Sequence, residues 1–392
     1  MTRRYDVAII GGGVIGSSVA YHLKTLDPAL SVAVIERDPT YRTASSALSA
    51  SSIRQQFSTP VNIAISRFGI DFLRRANEYL SVDGEMPHLG LTEPGYLYLA
   101  TDAGVPVLRE NNAIQRQAGA DIALLEPAAL QQRFPWLNTE DLALGSLGLR
   151  DEGWFDGYGL LQAFRNKARA LGADYITASV SGLDISAGKV EALLLDSGER
   201  IACGFAVNAA GPHAAAILGK AGVDFPLAPE RHCVFVFTCK ETLPACPLVI
   251  DTSGVWFRAE GSGFIAGPPP RMSDTPEQQA SLEVDYGLYE EVLWPALAHR
   301  VPAFEAIKFS NAWAGHYDMN HFDHNAIIGF VPGHGNFLMA NGFSGHGMQQ
   351  SPAAGRGIAE LILFGAYRSL DLSELGPERL LNNQPIIEKN II

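Results

Sequence analysis

Gly11, Gly13 and Gly16 stand in G-x-G-x-x-G spacing, with Val14 and Ile15 filling the gap, and Glu36-Arg37 follows about 20 residues on. Glycines in this pattern do backbone chemistry. The first permits a tight turn, the second lets a pyrophosphate approach the main chain, and the third lets a helix close on a strand. A carboxylate at the position of Glu36 accepts hydrogen bonds from a ribose diol. Together these residues predict a dinucleotide cradle. Near the other end, Gly342-Phe343-Ser344-Gly345-His346-Gly347-Met348 places glycines ahead of a helical stretch. Free N–H groups and a positive dipole end there would stabilise negative charge developing on a redox ring. An ordinary strand-to-helix turn is the alternative.

Other residues could meet a substrate. The stretch Asp38 to Ser58 contains TASSALSASSIRQQFS, including Ser45, Ser46 and Ser51. Small hydroxyl residues suit a loop passing close to a large ligand, or a solvated loop. The planar fork of Arg54 or Arg258 suits a carboxylate; either arginine could equally serve a structural ion pair. His316, His321 and His324, with Asp318 and Asp323, have metal-ligand chemistry, but a polar loop lining a cleft is the preferred reading and no metal is assigned. His346 adjoins the second glycine turn. No general base is assigned, because an amine that binds neutral needs none.

The elements that must position these groups are legible from periodicity. Tyr5 to Ile10 reads as a buried strand, Val14 to Leu26 as a helix, and Ser31 to Ile35 as a second strand. Helices are expected from Thr59-Pro60 to Leu80, over Val105 to Ala118, and from Glu126-Pro127 to about Phe134. Gly95 to Ala100 reads as a strand and Leu142 to Trp154 as β-rich. Asp156 caps a helix over 157 to 171. Strands Tyr175 to Asp184, Val190 to Leu195 and Ile201 to Asn208 run into Ala209-Ala210-Gly211-Pro212 and an alanine-rich helix. From Pro229 the texture is β, interrupted by a helix from Leu282 to His299. A strand from Ala306 to Trp313, a His-rich loop, a strand from Asn336 to Ala340 and a helix from Gln350 to Phe364 complete the chain.

Nucleotide-type signals thus fall at the start, middle and end. β-rich insertions split the dinucleotide-binding part, which suits a large cofactor in a composite cleft and points to FAD. The expected division is a discontinuous cofactor domain over 1–85, 150–222 and 325–392, and a substrate domain over 86–149 and 223–324.

At 392 residues the chain can bury a large core, and 47% hydrophobic with 18% charged residues reads as soluble and globular. A net charge of −13 argues against nucleic acid. It leaves room for an anionic small molecule held by one arginine. The four cysteines have no C-x-x-C spacing and read as free thiols in a reducing, cytoplasmic setting. Neither a signal peptide nor a run of membrane-spanning length is visible.

The motif set resembles the FAD-dependent amino-acid oxidase (DAO) superfamily, in its sarcosine oxidase and dimethylglycine dehydrogenase branch. GGGVIGSS with Glu36, VNAAGPHA, WAGHYDMNHFDHNAIIG and GFSGHGMQQSPAAG carry the resemblance in the family's order. SSIRQQFS and the C-terminal tail are similar to a mitochondrial FAD-dependent oxidoreductase-domain branch. The likeness spans nearly the whole chain. It implies a Rossmann-like FAD-binding domain of glutathione-reductase type with an inserted β-rich substrate domain. It further implies adenosine on the N-terminal glycines and Glu36, and adenine near Val180. The middle of FAD would lie near Ser45 and Ala210-Gly211, and the isoalloxazine beside Ser51 and Gly345 to Met348.

The implied reaction is oxidation of a C–N bond in an amino acid or N-alkyl amino acid by hydride transfer to flavin N5, the imine product then hydrolysing. Arg54 sits where sarcosine-type enzymes carry a carboxylate-binding arginine. Three departures follow. Neither Asn311-Ala312-Trp313 nor residues 40–57 supply the cysteine or histidine that tethers flavin in this branch, so FAD is expected to be noncovalent. The lysine linked to oxygen activation falls near Ile265, which favours a dehydrogenase with another electron acceptor. Tyr317 and Gln349 stand where relatives place an arginine and a lysine, so the substrate pocket is rebuilt. Two rivals are kept: a flavin-stabilised assembly protein without turnover, and an NAD-dependent dehydrogenase.

Overall fold

The computed structural model describes residues 3–389. Its first sheet is assembled from distant pieces of chain. The order is Ile327–Phe330, Phe337–Asn341, Arg200–Asn208, Arg3–Ile10, Val32–Glu36 and Asp174–Thr177. Arg3–Ile10 runs parallel to both neighbours, with Ile10 opposite Asn208 and Ile35. Val7, Ala8 and Ile9 are fully buried, as a central parallel strand covered on both faces requires. Residues 200–202 of the Arg200–Asn208 strand pair with Lys189–Leu195 on the edge where residues 206–208 pair with Phe337–Asn341. This is a Rossmann-like arrangement with an antiparallel appendage.

The second sheet has the order Lys308–Asn320, Leu227–Thr238, Gly263–Gly267, Trp256–Glu260, Leu248–Ile250, Tyr96–Ala100, Leu144–Gly148 and Ile122–Leu125. Its one parallel joint, Leu248–Ile250 against Tyr96–Tyr98, unites two stretches far apart in sequence. A separate core packs behind it around Phe235, Phe237, Phe257 and Phe304.

Two helices meet over the first sheet because small residues let them. Val14–Leu26 and Gly347–Phe364 approach so closely that a Cβ at Gly355 would strike Ser18, whose hydroxyl donates to Ser351 O at 2.8 Å. Pro352 is tolerated inside the second helix. Its missing N–H would have served Met348 O, which instead accepts from Ser351 Oγ at 2.9 Å.

The helix over 14 to 26 has the expected bounds, and Asp156 caps its helix by accepting from Gly159 N at 2.8 Å. Several other expectations need correction. The stretch 38–58 is not loop throughout; it contains the helical turn Ser45–Leu48 and the strand Ser52–Ile53, which pairs with Gly153–Trp154. The helix expected to reach Leu80 breaks at Arg75, where the backbone leaves helical geometry. Tyr175 to Asp184 divides into Asp174–Thr177, parallel to Val32–Glu36, and Val180–Ser186, antiparallel to Lys189–Leu195. The alanine-rich helix is short, Ala214–Lys220. The helix placed from Leu282 runs in a wide π-type turn over Tyr289–Leu293 before Trp294–Arg300. The strand expected to stop at Trp313 continues to Asn320, because Leu227–Thr238 pairs along its length.

His22 lies among Tyr21, Phe72 and Phe164 with 4% exposure. Burial first, then the Arg356 charge, lowers its pKa to about 3. The unfolded chain protonates this ring below about 6.5 while the folded chain does not. Stability is therefore undiminished above that pH and falls as pH drops from about 6.5 to about 3. His22→Gln is expected to flatten that slope, read from urea unfolding at a series of pH values. An unchanged slope would clear His22 of the effect.

Candidate active site

The first strand ends at Ile10, and Gly11 turns the chain with φ +96°. A Cβ on Gly11 would collide with Ala209 O, and one on Gly16 with Gly11 O. These two glycines are required by the protein's own packing. Gly13 differs: apart from its chain neighbours, a Cβ would meet only Ser46 Oγ, at 3.3 Å. Bare backbone therefore faces space that a pyrophosphate can enter. The helix beginning at Val14 has no side-chain cap from Gly13; Val14 N donates to Ser46 Oγ at 3.1 Å, while Ile15 follows in the first turn. Ser45 Oγ is buried without a hydrogen-bond partner.

Glu36 is held rigidly. Its Oε2 accepts from Gly12 N at 2.7 Å and its Oε1 from Asp38 N at 2.8 Å, leaving a second lone pair on each oxygen for a diol. Arg37 NH2 lies 2.6 Å from His213 Nε2. Ala178 N donates to Glu36 O at 3.1 Å, which brings the chain past the acid to Val180. Ala209 to Gly211 runs against Gly11, and Gly211 takes φ +54° with open space around it. A helix start met only by the Ser46 hydroxyl, a bare glycine, a buried unsatisfied hydroxyl and a fixed acid fit the diphosphate and ribose of FAD.

The second glycine turn is anchored from below. Gly342 N donates to Asp318 Oδ2 at 2.6 Å, Ser344 N to Asp318 O at 2.9 Å, and Asn320 N to Ser344 Oγ at 3.0 Å. Burial pushes the Asp318 carboxyl up to about 7, and its Oδ1 has no partner. Gly342 is a packing glycine, since a Cβ there would lie 2.8 Å from Leu227. Ser344 and Ser51 both take left-handed backbone, at φ 48° and 53°. Such strain in L-residues concentrates where structure serves a ligand. A Cβ on Gly345 would strike the ring of Tyr317. Gly347 begins the last long helix, which again has no side-chain cap from its N-cap residue His346. Met348 is buried, with its methyl filling the space a Cβ on Gly157 would need. The uncapped N-terminus fits the electron-rich edge of a flavin.

Beside this turn, Arg54, Tyr96, Trp256, Tyr317, His346 and Gln349 line a cavity whose apolar wall is Leu248 and Ile250. Arg54 is 3% exposed. Its guanidinium lies 4.4 Å from the Phe57 ring centroid, and its NH2 lies 3.0 Å from His346 Nε2. Gln349 Oε1 accepts from Arg54 N at 3.0 Å and from Ser66 Oγ at 3.1 Å, fixing the arginine's backbone. Burial first, and the Arg54 charge second, hold His346 well below the usual histidine range. It is a neutral acceptor. Tyr317 stacks on His232 at 3.7 Å.

Two expected site residues lie elsewhere. His316 precedes Tyr317 on the same strand, so its side chain points to the opposite face, where Nε2 lies 3.3 Å from Ser281 O. Arg258 donates to Ala50 O at 2.9 Å and Ala259 O at 3.0 Å, pairs with Glu260 and lies over Trp154. It fastens the serine loop and is not among the cavity's lining residues. Asp323 is bound by Arg379 Nε at 2.8 Å, and no metal-binding cluster occurs among the described residues. Sequence reasoning missed Glu152, a fully buried acid beneath Arg54. Nothing in the run Arg150-Asp151-Glu152-Gly153 distinguishes it from a surface turn.

Comparison with known proteins shows the family. Residues 6–361 match the family model DAO, FAD dependent oxidoreductase. The chain is 41% identical over 428 residues to FAD-dependent oxidoreductase domain-containing protein 1 of Xenopus laevis, covering 100% of this chain and 85% of that one. Mitochondrial sarcosine dehydrogenase of Homo sapiens is 24% identical over 92% of this chain and 40% of its own. Among solved structures, L-proline dehydrogenase from P. horikoshii superposes with a TM-score of 0.86 at 24% identity, covering 98% of this chain and 100% of that one. The chain belongs to the DAO family of FAD-dependent oxidoreductases.

Proposed function

We propose that this protein oxidises the C–N bond of a small amino acid or N-alkyl amino acid whose carboxylate is held by Arg54. The observation that carries this reading is the cavity's charge: Arg54 is the one cationic side chain among the lining residues, and it is set among aromatic rings. A guanidinium in such low-dielectric surroundings favours a bidentate carboxylate strongly. FAD, when bound, supplies the two-electron acceptor for hydride from the carbon next to nitrogen. The chain's own residues bind, orient and exclude water. Arg54 fixes the acid end, Gln349 positions Arg54, and Tyr96, Tyr317 and Trp256 shield the reacting end. His346 is neutral and accepts from Arg54, which makes it a poor proton carrier at neutral pH.

In this reading FAD is noncovalent, since neither Asn311-Ala312-Trp313 nor residues 40–57 supply a cysteine or histidine to tether it. Dehydrogenase chemistry is favoured over oxidase chemistry because Ile265 lies within a strand opposite Arg258 and the cavity lining includes no lysine. The cofactor unit is residues 1–85, 150–222 and 325–392, and the substrate unit 86–149 and 223–324. The four cysteines are free. Among the described residues, no helix is long and apolar enough to cross a membrane.

Anaerobic mixing of the holoenzyme with sarcosine, L-proline, glycine and larger N-alkyl amino acids tests the reaction. Bleaching of the visible flavin band by a member of this panel is the expected result. A flavin that stays oxidised with every member would reject the proposal. The Leu248–Ile250 wall adds a specificity prediction. Apolar substrates should exceed analogues with an acidic side chain by about 100-fold or more in kcat/KM, because the wall offers a second charge no partner. Equal rates would sink it.

A further inference from the structure

Between the turn that follows Arg54 and the second sheet lies a carboxylate unused by the proposed reaction. Glu152 is 0% exposed. Its Oε1 accepts from Gln55 N at 2.6 Å, and its Oε2 from Gln56 Nε2 at 2.9 Å and Tyr96 N at 3.2 Å. Gln56 Nε2 also donates to Tyr96 O at 3.1 Å, and Gln56 Oε1 accepts from Ser146 Oγ at 2.7 Å. Room for the acid is made by Gly148, where a Cβ would overlap Glu152 Oε2. Burial pushes the Glu152 carboxyl up to about 7, while the N–H donors and the Arg54 charge pull the other way. Three N–H donors converging on its two oxygens favour the carboxylate over the acid.

We infer that Glu152 is a positioning residue that sets the separation of Arg54 and Tyr96 across the substrate cavity. One carboxylate grips both the turn after Arg54 and the start of the strand that carries Tyr96. Arg54 and Tyr96 come from separate parts of the chain, and both line the cavity. As far as it concerns substrate, this inference rests on the anchoring role proposed for Arg54. Holding the side chains that touch a ligand through a buried partner behind them keeps a binding geometry within fractions of an ångström.

The test uses Glu152→Gln and Glu152→Asp as FAD holoenzymes. Gln keeps the volume but turns one oxygen into a donor facing other donors; Asp keeps the charge but shortens the reach. Titration with pyrrole-2-carboxylate, followed by the flavin spectrum, should give a dissociation constant raised by about 10- to 100-fold in the Gln variant and less in the Asp variant. KM for carboxylated substrates should rise with kcat changed less than about threefold. A crystal structure of the Gln variant should show Arg54 displaced relative to Tyr96. Wild-type affinity in both variants, or an unmoved Arg54–Tyr96 pair, would overturn the inference. Should the Gln variant fail to fold, the Asp variant decides by the same titration at equal flavin content. If the wild-type protein itself ignores the carboxylate, the substrate reading fails, and the crystal structures alone decide the positioning role.

Discussion

Arg54→Met is expected to lower kcat/KM for a carboxylated substrate by about 10³-fold, equivalent to about 4 kcal/mol. The decarboxylated analogue should lose less than about tenfold. The asymmetry follows from what the side chain does. Methionine keeps much of the packing against Phe57, whose ring lies 4.4 Å from the guanidinium, but supplies no donor. A substrate carboxylate would then sit desolvated among Tyr96, Trp256 and Tyr317 with nothing to balance it. His346 would lose its Arg54 donor as well, so melting temperature and flavin content must be measured beside the kinetics. Equal losses for both substrates would remove Arg54 from the anchoring role and leave it a structural one.

The second large effect separates two glycines that look alike in the motif. Gly13→Val should fold and yet lose FAD affinity by about 100-fold or more, the worth of two charge-assisted N–H contacts to phosphate. Its backbone, at φ −60° and ψ −174°, is open to any residue, and a Cβ there would meet only Ser46 Oγ, at 3.3 Å, a contact relieved by a small turn of that hydroxyl. Gly16→Val should instead give little folded protein, because the new Cβ would overlap the Gly11 carbonyl. Absorbance of the purified proteins and their thermal melts distinguish the two. A yellow Gly13→Val protein with native affinity would mean that the pyrophosphate does not pass this turn.

How much of this was legible in the sequence depended on whether the signal was local. Strand, glycine turn and helix from Arg3 to Leu26 follow from near neighbours, as does the cap at Asp156. The cleft's discontinuous origin was readable too, from motifs scattered along the chain. Orientation within the site was harder. His316 and Tyr317 are adjacent on one strand and point to opposite faces, so both could not line one cavity. Strand alternation alone could have removed one, but which one depended on pairing with Leu227–Thr238. Arg258 matched Arg54 as a carboxylate binder by residue type; its capture by Ala50, Ala259 and Glu260 depends on a tertiary approach that spacing does not encode. Glu152 was invisible for the same reason, since its burial is created by Gln55, Gln56, Tyr96 and a side-chain-free Gly148. Short strands such as Ile122–Leu125 and Ile327–Phe330 carry too few residues to show a period.

The most direct test is a stopped-flow comparison of matched amines under anaerobic conditions: L-proline against pyrrolidine, and sarcosine against dimethylamine. We predict that at least one carboxylated member bleaches the flavin while its partner, lacking only the carboxylate, reacts about 10³-fold more slowly or not at all. Equal rates within every reactive pair, or a cofactor that stays yellow with all four, would contradict carboxylate-anchored C–N oxidation at this site.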